Sequence, residues 1–288
     1  IGIIKDINEH LPQDAEIYIV EAGARQKGDI AEIVSLVRPK YALIGKIGEA
    51  HIEYFKSIEN IQSTKAEILG SDELKEAFVF ENSGQSGEKL TVFGYTDGIT
   101  INNAASTLNG VSFELSFDDG QTHKFEAPNI LGAFNAINIT AAVLLARALG
   151  MDIESIKRAV ETLPSVAHRL QKIVAGEKII LDDSFNGNVD GIKEGIELCR
   201  THPNQKVIVT CGLVESRDEL NIELAHLIDE VFDVAIITGE LNKKLFDTNI
   251  QKCEKIFLSD KKELENILKE KTEANSIVYF ANDAPGYI

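Results

Sequence analysis

The stretch Leu181-Asp182-Asp183-Ser184-Phe185-Asn186-Gly187-Asn188 indicates the fold class of the chain. It closes a short apolar strand, passes through a polar turn and leads into a helical pattern. This is the position at which α/β sheets hold ribose and phosphate groups. A helix cap by Ser184 or Asn188 is the simpler interpretation, but it explains one residue and not the whole cluster. The stretch therefore predicts an α/β domain with a ligand site at the end of this strand.

Downstream of this stretch, strands alternate regularly with helical patterns. Strands are predicted at residues 178–182, 206–210, 234–238, 255–258 and 276–280. Alternation of this kind implies a mostly parallel sheet covered by helices. Such a sheet binds its ligand beyond the carboxyl ends of the strands, which is where three residues of this chain fall: Asp183, Gly212 and Gly239.

Upstream, the chain begins with a different pattern. Residues 16–20 read as a buried strand, 29–37 as a short helix and 41–47 as another strand, which together predict one β-α-β unit. From residue 77 to 127 short alternating strands predict an antiparallel layer, with a hairpin turn at Asp118-Asp119-Gly120.

Two predicted helices separate these patterns. The first, at residues 131–149, ends at Gly150, and the second, at residues 152–163, is stopped by Pro164. At 288 residues the chain is longer than one typical core supports. We therefore predict two domains. Residues 1–166 form an α/β domain with an attached antiparallel layer, and residues 167–288 form a Rossmann-like, mostly parallel C-terminal domain.

Charge and composition narrow the classes of function. Lys and Arg total 29 against 46 Asp and Glu, so the formal net charge is -17. Such a surface repels phosphate backbones and anionic lipid, and we expect no nucleic-acid partner and no membrane insertion. The three cysteines form neither an even set nor a C-x-x-C pair, which fits a reducing cytoplasm better than a disulfide framework or a zinc site.

The first candidate site is the turn that follows residue 20. Glu21 stands at the end of a predicted strand, and Gly23 and Gly28 have the separation of the glycines in a P-loop. Asp29-Ile30 stands where a P-loop requires Lys-Ser or Lys-Thr, so the segment is not a P-loop. The simpler interpretation is a solvated turn with Asp29 as the N-cap of the next helix.

Two further candidates follow. His51 comes after the next predicted strand, where it could share a metal ion with Glu21, although a single histidine is more often a surface residue. Lys65 lies on the mainly apolar side of a helix predicted at 57–69. A lysine there is costly unless it is paired or modified, and a snorkelling side chain is the simpler interpretation.

The remaining candidates lie around the predicted domain boundary. Asn135 and Asn138 are three residues apart on one face of an apolar helix, where their amides either bond to nearby backbone or bind an adenine edge or a phosphate. Arg169 could bind a phosphate, although a single arginine is more often part of a surface ion pair.

Together these segments resemble the Mur ligase family, and the resemblance covers nearly the whole chain. It implies that residues 1–166 are the family's central α/β ATPase-type domain and residues 167–288 its C-terminal domain. Within the family the pattern is most similar to the members that add D-alanyl-D-alanine. The motifs that carry the resemblance are Glu21-Ala22-Gly23-Ala24, Gly28-Asp29-Ile30, Ala50-His51, Lys65-Ala66-Glu67, Asn135 to Asn138, His168-Arg169-Leu170 and Asp182 to Asn188.

The resemblance implies a metal site. It matches Glu21 and His51 to magnesium ligands and Lys65 to a lysine that carbon dioxide carboxylates to hold a second magnesium. Lys65, His51 and Arg169 are the expected catalytic residues. Carboxylation would turn a buried cation into an anionic ligand, which accounts for a placement that is otherwise costly.

The resemblance also implies an ATP site. It matches Asn135 and Asn138 to asparagines near phosphate and adenine, Arg169 to a phosphate-facing arginine, and Asp183 to a ribose-side aspartate. Two further residues are expected beside the nucleotide: Asn186 and Asn188.

Several segments depart from the family pattern. Phe134 replaces a histidine, Phe185 replaces a tyrosine, and Gly212-Leu213-Val214-Glu215-Ser216 replaces a Gly-Asp-Met pattern. The end of the chain, Phe280 to Gly286, replaces a Lys-Gly-Ser-Arg loop. We also expect the family's phosphate-binding loop and its uridine-nucleotide domain to lie upstream of Ile1, so that the chain is a fragment.

The implied activity is ATP-dependent amide-bond formation in peptidoglycan precursor synthesis. A UDP-N-acetylmuramoyl-tripeptide is activated as an acyl phosphate and then attacked by the amine of D-alanyl-D-alanine. The alternatives are a related ligase with another amine acceptor, as in amidotransferase-associated or folate-type relatives, and a noncatalytic nucleotide-binding fragment. We expect a monomer.

Overall fold

A computed structural model describes residues 2–48, 52–96, 98–185, 189–214 and 216–283. The predictions for His51, Asn186 and Asn188 lie outside these residues. The chain forms two compact units. The first unit is Ile1–Ala77 with Asn82–Leu90, and the second is Phe78–Glu81 with Thr91–Ile288. The domain boundary between residues 166 and 167 stays a prediction.

The described residues form ten α-helices and twelve strands. The helices are Gly2–Glu9 (α1), Asp29–Val37 (α2), Ile52–Phe55 (α3), Ile58–Ala66 (α4), Asn135–Ala148 (α5), Ile153–Glu161 (α6), Val189–Arg200 (α7), Asp218–Val231 (α8), Lys243–Asn249 (α9) and Leu264–Lys271 (α10). The strands are Tyr41–Ile44 (β1), Glu76–Phe80 (β2), Leu90–Gly94 (β3), Ile99–Thr107 (β4), Gly110–Ser116 (β5), Thr122–Ala127 (β6), Gln171–Ala175 (β7), Lys178–Asp183 (β8), Lys206–Thr210 (β9), Val234–Thr238 (β10), Glu254–Leu258 (β11) and Ile277–Ala281 (β12).

The strand predicted at residues 16–20 is absent, because this segment has no regular secondary structure and belongs to no sheet. Ile17 is 60% exposed and Ile19 is 79% exposed, while Tyr18 and Val20 are partly buried. A strand needs a neighbour that accepts its backbone hydrogen bonds. No strand among the described residues pairs with this segment, so its apolar composition alone does not make it a strand.

The layer predicted at residues 77–127 is present. Strands β1 to β6 form one sheet in chain order. Strands β5 and β6 are an antiparallel hairpin in the predicted place, and Ser116 pairs with Thr122 across its turn. The short pairing of β3 with β4 is parallel, so the layer is not antiparallel throughout. Alternate residues of β5 are buried, as expected of a strand with one face on the core.

The C-terminal sheet confirms the prediction of a mostly parallel fold. Its strand order is β11-β10-β9-β12-β8-β7, and only the edge strand β7 pairs with its neighbour in the antiparallel sense. Strand β12 is fully buried, and it lies between β8 and β9 with Ala281 opposite Asp183 and Thr210. The carboxyl ends of β8, β9 and β12 therefore meet at one sheet edge.

Helices cover both faces of this sheet. The larger apolar cluster includes Ile192 and Ile196 of α7 and Leu224 and Ile228 of α8, all nearly inaccessible to solvent. A second cluster on the other face includes Leu264 of α10. Burial of these side chains is what holds the sheet edge in place. None of the described helices combines the length and apolar character that crossing a membrane requires.

Candidate functional site

The turn before helix α2 is shaped by Asp29. Its Oδ2 accepts hydrogen bonds from the backbone N–H groups of Arg25, at 2.9 Å, and Gln26, at 3.1 Å. These bonds stabilise the ionised carboxylate and lower the pKa of Asp29. The N-cap position of α2 is occupied by Gly28, at φ 98°, a conformation that glycine adopts at little cost. Asp29 therefore closes the turn from within the helix and is not its N-cap.

Glu67 closes the same turn from another segment of the first unit. Its Oε1 accepts the backbone N–H of Gly28 at 2.8 Å, and its Oε2 accepts that of Ala31 at 3.1 Å. The first N–H groups of a helix have no partner within the helix, and a carboxylate there is also favoured by the helix dipole. Glu67 follows directly after α4, so the segment that carries Lys65 is held beside the turn that follows Glu21.

The contacts of Asp29 and Glu67 hold the segments that carry Glu21 and Lys65, but they do not show these two side chains meeting at a metal site. Glu21 is exposed, and Lys65 is partly buried in the last turn of α4. Within the described part of the chain, the Lys65 ammonium forms no ion pair or hydrogen bond. No group of three or more His, Cys, Asp or Glu side chains suited to a metal ion occurs in that part either. The convergence of Glu21, His51 and Lys65 on metal ions stays a prediction.

In the second unit, Asn135 and Asn138 bond to each other. Asn138 Nδ2 donates to Asn135 Oδ1 at 2.9 Å, and Asn135 Nδ2 donates to the carbonyl of Leu131 at 2.7 Å. Asn135 is partly buried and Asn138 is exposed, although both lie on one face of a mainly apolar helix. The Asn135 amide therefore bonds to nearby backbone, which was one of the two alternatives. The Asn138 amide bonds to Asn135 and is also accessible to solvent.

The segment just before α5 packs against elements of the C-terminal sheet. Leu131 belongs to the same buried apolar cluster as Leu170 and Leu181. The backbone N–H of Ala133 donates to Glu194 Oε1 of α7 at 3.0 Å. The helix that carries the two asparagines thus begins beside strand β8 and helix α7.

Arg169 lies two residues before β7, beside the carboxyl end of β8. Its NH1 donates to the carbonyl of Phe185 at 3.0 Å, and its guanidinium carbon is 4.7 Å from the centre of the Phe185 ring. Arg169 is exposed, and its charge partly opposes the rise that burial causes in the pKa of Asp183. The structure therefore brings Arg169 and Asp183 together, with an arginine that is held in position but accessible to a ligand.

The residues on either side of Arg169 are held in unusual backbone conformations. His168 has φ 61° and Leu170 has φ 49°. His168 Nδ1 lies 2.8 Å from Oδ2 of the buried Asp182, and the carbonyl of His168 accepts the backbone N–H of Phe185 at 3.3 Å. Left-handed conformations of bulky residues persist only where surrounding contacts enforce them. These contacts fix the direction in which Arg169 leaves the backbone.

Asp183 is almost wholly buried, with 8% of its surface exposed. Its Oδ1 accepts the backbone N–H of Leu170 at 3.1 Å, and its Oδ2 lies 3.4 Å from the hydroxyl of Tyr279. Burial raises the pKa of Asp183 to about 6, although the Leu170 N–H, Arg169 and the Tyr279 hydroxyl oppose the shift. Each carboxylate oxygen has further acceptor capacity, so Asp183 can still receive a ligand hydroxyl.

Tyr279 reaches Asp183 because helix α7 has a glycine at the contact. Tyr279 is fully buried on β12, and a Cβ at Gly195 would lie 2.3 Å from its Cζ. Only a residue without a side chain fits at that distance. Gly195 of α7 thus makes room for the contact between Tyr279 and the site.

The carboxyl ends of β9, β10 and β12 are filled by side chains of the chain itself. Asn282 Nδ2 donates to the carbonyl of Gly212 at 2.9 Å. The carboxylate of Asp283, 7% exposed, contacts Thr238 Oγ1 and the ammonium of Lys261. Asn282 and Asp283 stand in the segment that replaces the family's Lys-Gly-Ser-Arg loop, and their side chains bond to other residues of this chain.

Sequence reasoning assigned no role to Glu67, His168 or Tyr279. Glu67 and His168 stand inside the motifs Lys65-Ala66-Glu67 and His168-Arg169-Leu170. A titratable side chain so close to a candidate residue could have been predicted to support the site. Tyr279 could not be found in this way, because it lies in an apolar strand about 100 residues from Asp183. Only the pairing of β12 with β8 brings the two residues together.

Comparison with known proteins gives a family match to the Mur ligase middle domain over residues 1–146. Two curated relatives are each a UDP-N-acetylmuramoyl-tripeptide--D-alanyl-D-alanine ligase. The Escherichia coli (strain K12) protein is 28% identical over 218 residues, which are 71% of this chain and 48% of that protein. The Bacillus subtilis (strain 168) protein is 25% identical over 289 residues, 94% of this chain and 62% of that protein. The chain thus spans about half to two thirds of their length.

Solved structures of the same fold are also found. MurF from Acinetobacter baumannii aligns with a TM-score of 0.79 and 21% identity, covering 95% of this chain and 63% of that chain. MurF from Thermotoga maritima in complex with ADP aligns with a TM-score of 0.74 and 20% identity, covering 91% and 63%. At these identities the likeness concerns the fold. The match of the middle domain to just over half of the residues, however, identifies the chain as a member of the Mur ligase family.

Proposed function

We propose that the protein carrying this chain is an ATP-dependent carboxylate–amine ligase that joins D-alanyl-D-alanine to a UDP-N-acetylmuramoyl-tripeptide. The observation that carries the proposal is the likeness to D-alanyl-D-alanine ligases along nearly the whole chain, 94% of it in the Bacillus subtilis protein. In the proposed reaction the γ-phosphoryl group of ATP passes to the peptide carboxylate, and the dipeptide amine then displaces phosphate from the acyl phosphate. The products are an amide, ADP and phosphate.

The residues of the first unit fit a magnesium site. Glu21 offers exposed carboxylate oxygens, the hard ligands that magnesium prefers. Lys65 is partly buried without a counter-ion in the described residues, which fits a side chain that is carboxylated and so presents oxygen ligands. His51 completes the proposed set. Magnesium, when bound, would offset the repulsion between the triphosphate and the substrate carboxylate.

The residues of the second unit fit a nucleotide site. The exposed guanidinium of Arg169 can bind a phosphate, and its stacking on Phe185 limits the directions it can take. Asp183 can accept ribose hydroxyls, and above pH 6 it does so as a carboxylate. Asn138 presents an exposed amide to a phosphate or to adenine. We assign Asn186 and Asn188 to the same nucleotide site.

The contacts around Arg169 also support a role for this residue in orienting the nucleotide. His168, Leu170 and Phe185 all bond to the strand end or to one another, so little side-chain and backbone freedom is lost when a ligand binds. A preorganised charge lowers the cost of holding the reacting groups in line and keeping water away from the acyl phosphate. This arrangement favours ligase chemistry over simple nucleotide storage.

We also propose that the protein acts in the cytoplasm as a monomer, where its nucleotide substrates are made. Among the described residues the three cysteines are free, as in a reducing compartment. The net charge of -17 argues against nucleic acid as a partner, and it requires basic residues near the site to hold an anionic substrate, because the average field repels anions.

A second candidate is a ligase of the same family with a different amine acceptor. The observation that favours it is the inward bonding of Asn282 and Asp283, since side chains used inside the protein are not offered to an acceptor. The two candidates differ only in the amine.

The test is a substrate panel with the whole protein that contains this chain. Phosphate release from ATP is measured with the UDP-linked tripeptide and either D-alanyl-D-alanine or other amino acids and dipeptides, and products are identified by mass spectrometry. Phosphate release and a pentapeptide product with D-alanyl-D-alanine alone support the first candidate. A product with another amine supports the second, and nucleotide binding without any product refutes both.

A further inference from the structure

Glu67 joins two segments of the first unit with a single carboxylate. One oxygen accepts the N–H of Gly28 at 2.8 Å and the other accepts the N–H of Ala31 at 3.1 Å. The two donors belong to the start of α2, and Glu67 belongs to the turn after α4. The carboxylate thus bridges segments that are 36 and 39 residues apart in sequence.

The bridge is rigid at both ends. On the α2 side, Asp29 already holds the N–H groups of Arg25 and Gln26, so the backbone that Glu67 contacts is itself fixed. On the other side, α4 has a Ser57 N-cap whose side chain accepts the N–H of Asn60, and the helix runs straight into the turn at Glu67. Two fixed segments joined by two charge-assisted hydrogen bonds keep a defined separation.

The Glu67 bridge lies close in sequence to both proposed metal ligands. Lys65 is two residues before Glu67, in the last turn of α4. Glu21 is four residues before Arg25, the first residue of the fixed turn. A change in the bridge would therefore move the Lys65 segment relative to the segment that carries Glu21.

We propose that Glu67 is a positioning residue that sets the separation between Lys65 and Glu21 and so tunes the affinity of the site for divalent cations. The inference rests on the proposed function, because it needs both residues to be metal ligands. Partners that hold metal ligands in place, without touching the metal, commonly change metal affinity or activity by about 10- to 100-fold when they are removed.

The competing explanation is that Glu67 only caps helix α2. A cap contributes to stability and leaves the response to magnesium unchanged. A positioning residue changes the magnesium concentration needed for half-maximal turnover, while the KM for the amine acceptor stays the same. The two explanations therefore differ in a quantity that stability does not affect.

The experiment compares Glu67→Gln and Glu67→Ala with wild type in the whole protein. Glutamine keeps one acceptor oxygen but turns an N–H group toward the other backbone N–H, so it weakens the bridge with little change in shape. The control is Glu73→Gln, which removes a nearby carboxylate that pairs with Arg38 on the surface at 3.0 Å. Magnesium dependence of ATP turnover is measured, together with hydrogen exchange of the Gly28 and Ala31 amides.

We expect faster exchange of both amides in the Glu67 variants and a 10- to 100-fold higher magnesium concentration for half-maximal turnover, about the range seen for such partners. Glu73→Gln should leave both quantities at the wild-type values. If Glu67→Ala does not fold, the result with Glu67→Gln decides.

Wild-type magnesium dependence in a folded Glu67→Gln variant, with faster exchange at Gly28 and Ala31, would show that the bridge exists and does not act on the metal site. Unchanged exchange would show that the bridge itself is absent. Either result overturns the inference and leaves the proposed function intact. A wild-type protein with no magnesium-dependent ATP turnover would instead refute the proposed function, and the inference would fall with it.

Discussion

Replacement of Asp183 by asparagine should make the chain more stable at neutral pH. Burial raises the pKa of Asp183 to about 6, from 3.8 for an aspartate in an unfolded chain. The folded state therefore holds the proton more tightly than the unfolded state does. Stability from this group is fully present below pH 3.8 and is lost as the pH rises through 6, because the folded protein must then bury a charge.

The magnitude follows from the difference in pKa. A tenfold change in an ionisation constant corresponds to about 1.4 kcal/mol, so the shift amounts to about 3 kcal/mol when the carboxyl is fully ionised. Asparagine has nearly the same shape and keeps an oxygen for the Leu170 N–H, but it carries no charge. We expect the Asp183→Asn variant to exceed wild type by under about 1 kcal/mol at pH 4 and by about 3 kcal/mol at pH 8.

The assay is urea unfolding of both proteins at several pH values, followed by circular dichroism because the chain has no tryptophan. Asp118→Asn, at the exposed hairpin turn, is the control and should show no such pH dependence. Equal stability differences at pH 4 and pH 8, or a less stable Asp183→Asn variant at pH 8, would refute the reasoning. The stabilised variant should also bind ATP more weakly in the whole protein, since stability at a site is often gained at the expense of function.

Three further predictions concern other parts of the chain. Lys65→Ala should lower the kcat of the whole protein by about 100-fold or more, whereas Lys75→Ala, an exposed control, should not; equal turnover in both would remove Lys65 from the mechanism. Gly195→Ala should lower the unfolding free energy by about 1–3 kcal/mol, because the added Cβ would lie 2.3 Å from the Tyr279 ring, and a thermal melt identical to wild type would contradict that contact. Asp152→Ala should cost about 1 kcal/mol in urea unfolding, since the Asp152 carboxylate caps α6, and an unchanged midpoint would argue against the cap.

Local patterns predicted most of the secondary structure. Helix α2 has the bounds expected from its sequence, and five of the six C-terminal strands lie within one or two residues of their predicted positions, whereas the edge strand β7 was not predicted. These elements have strong signals, either a run of apolar residues of strand length or helical spacing that ends at a proline or glycine. The prediction was wrong at residues 16–20, where apolar composition was present but no described strand lies alongside.

The candidate site was predicted less completely than the secondary structure. Arg169 and Asp183 were expected to act together, and the structure brings Arg169, just before β7, beside Asp183 at the end of β8. Their supporting contacts were not predictable in the same way. The bond of His168 to Asp182 and the approach of Tyr279 to Asp183 depend on residues that are 14 and 96 positions apart.

The sequence by itself determined the alternation of strands and helices in the C-terminal half, the polar turn after β8 and the motif order that resembles the Mur ligase family. Each of these is a property of neighbouring residues, whose spacing sets which side chains face the core. The tertiary structure alone decided that Asp183 is buried beside Tyr279 and that Glu67 bridges α4 and α2. Such contacts arise from sheet register and helix packing, which bring distant residues together only after the chain has folded.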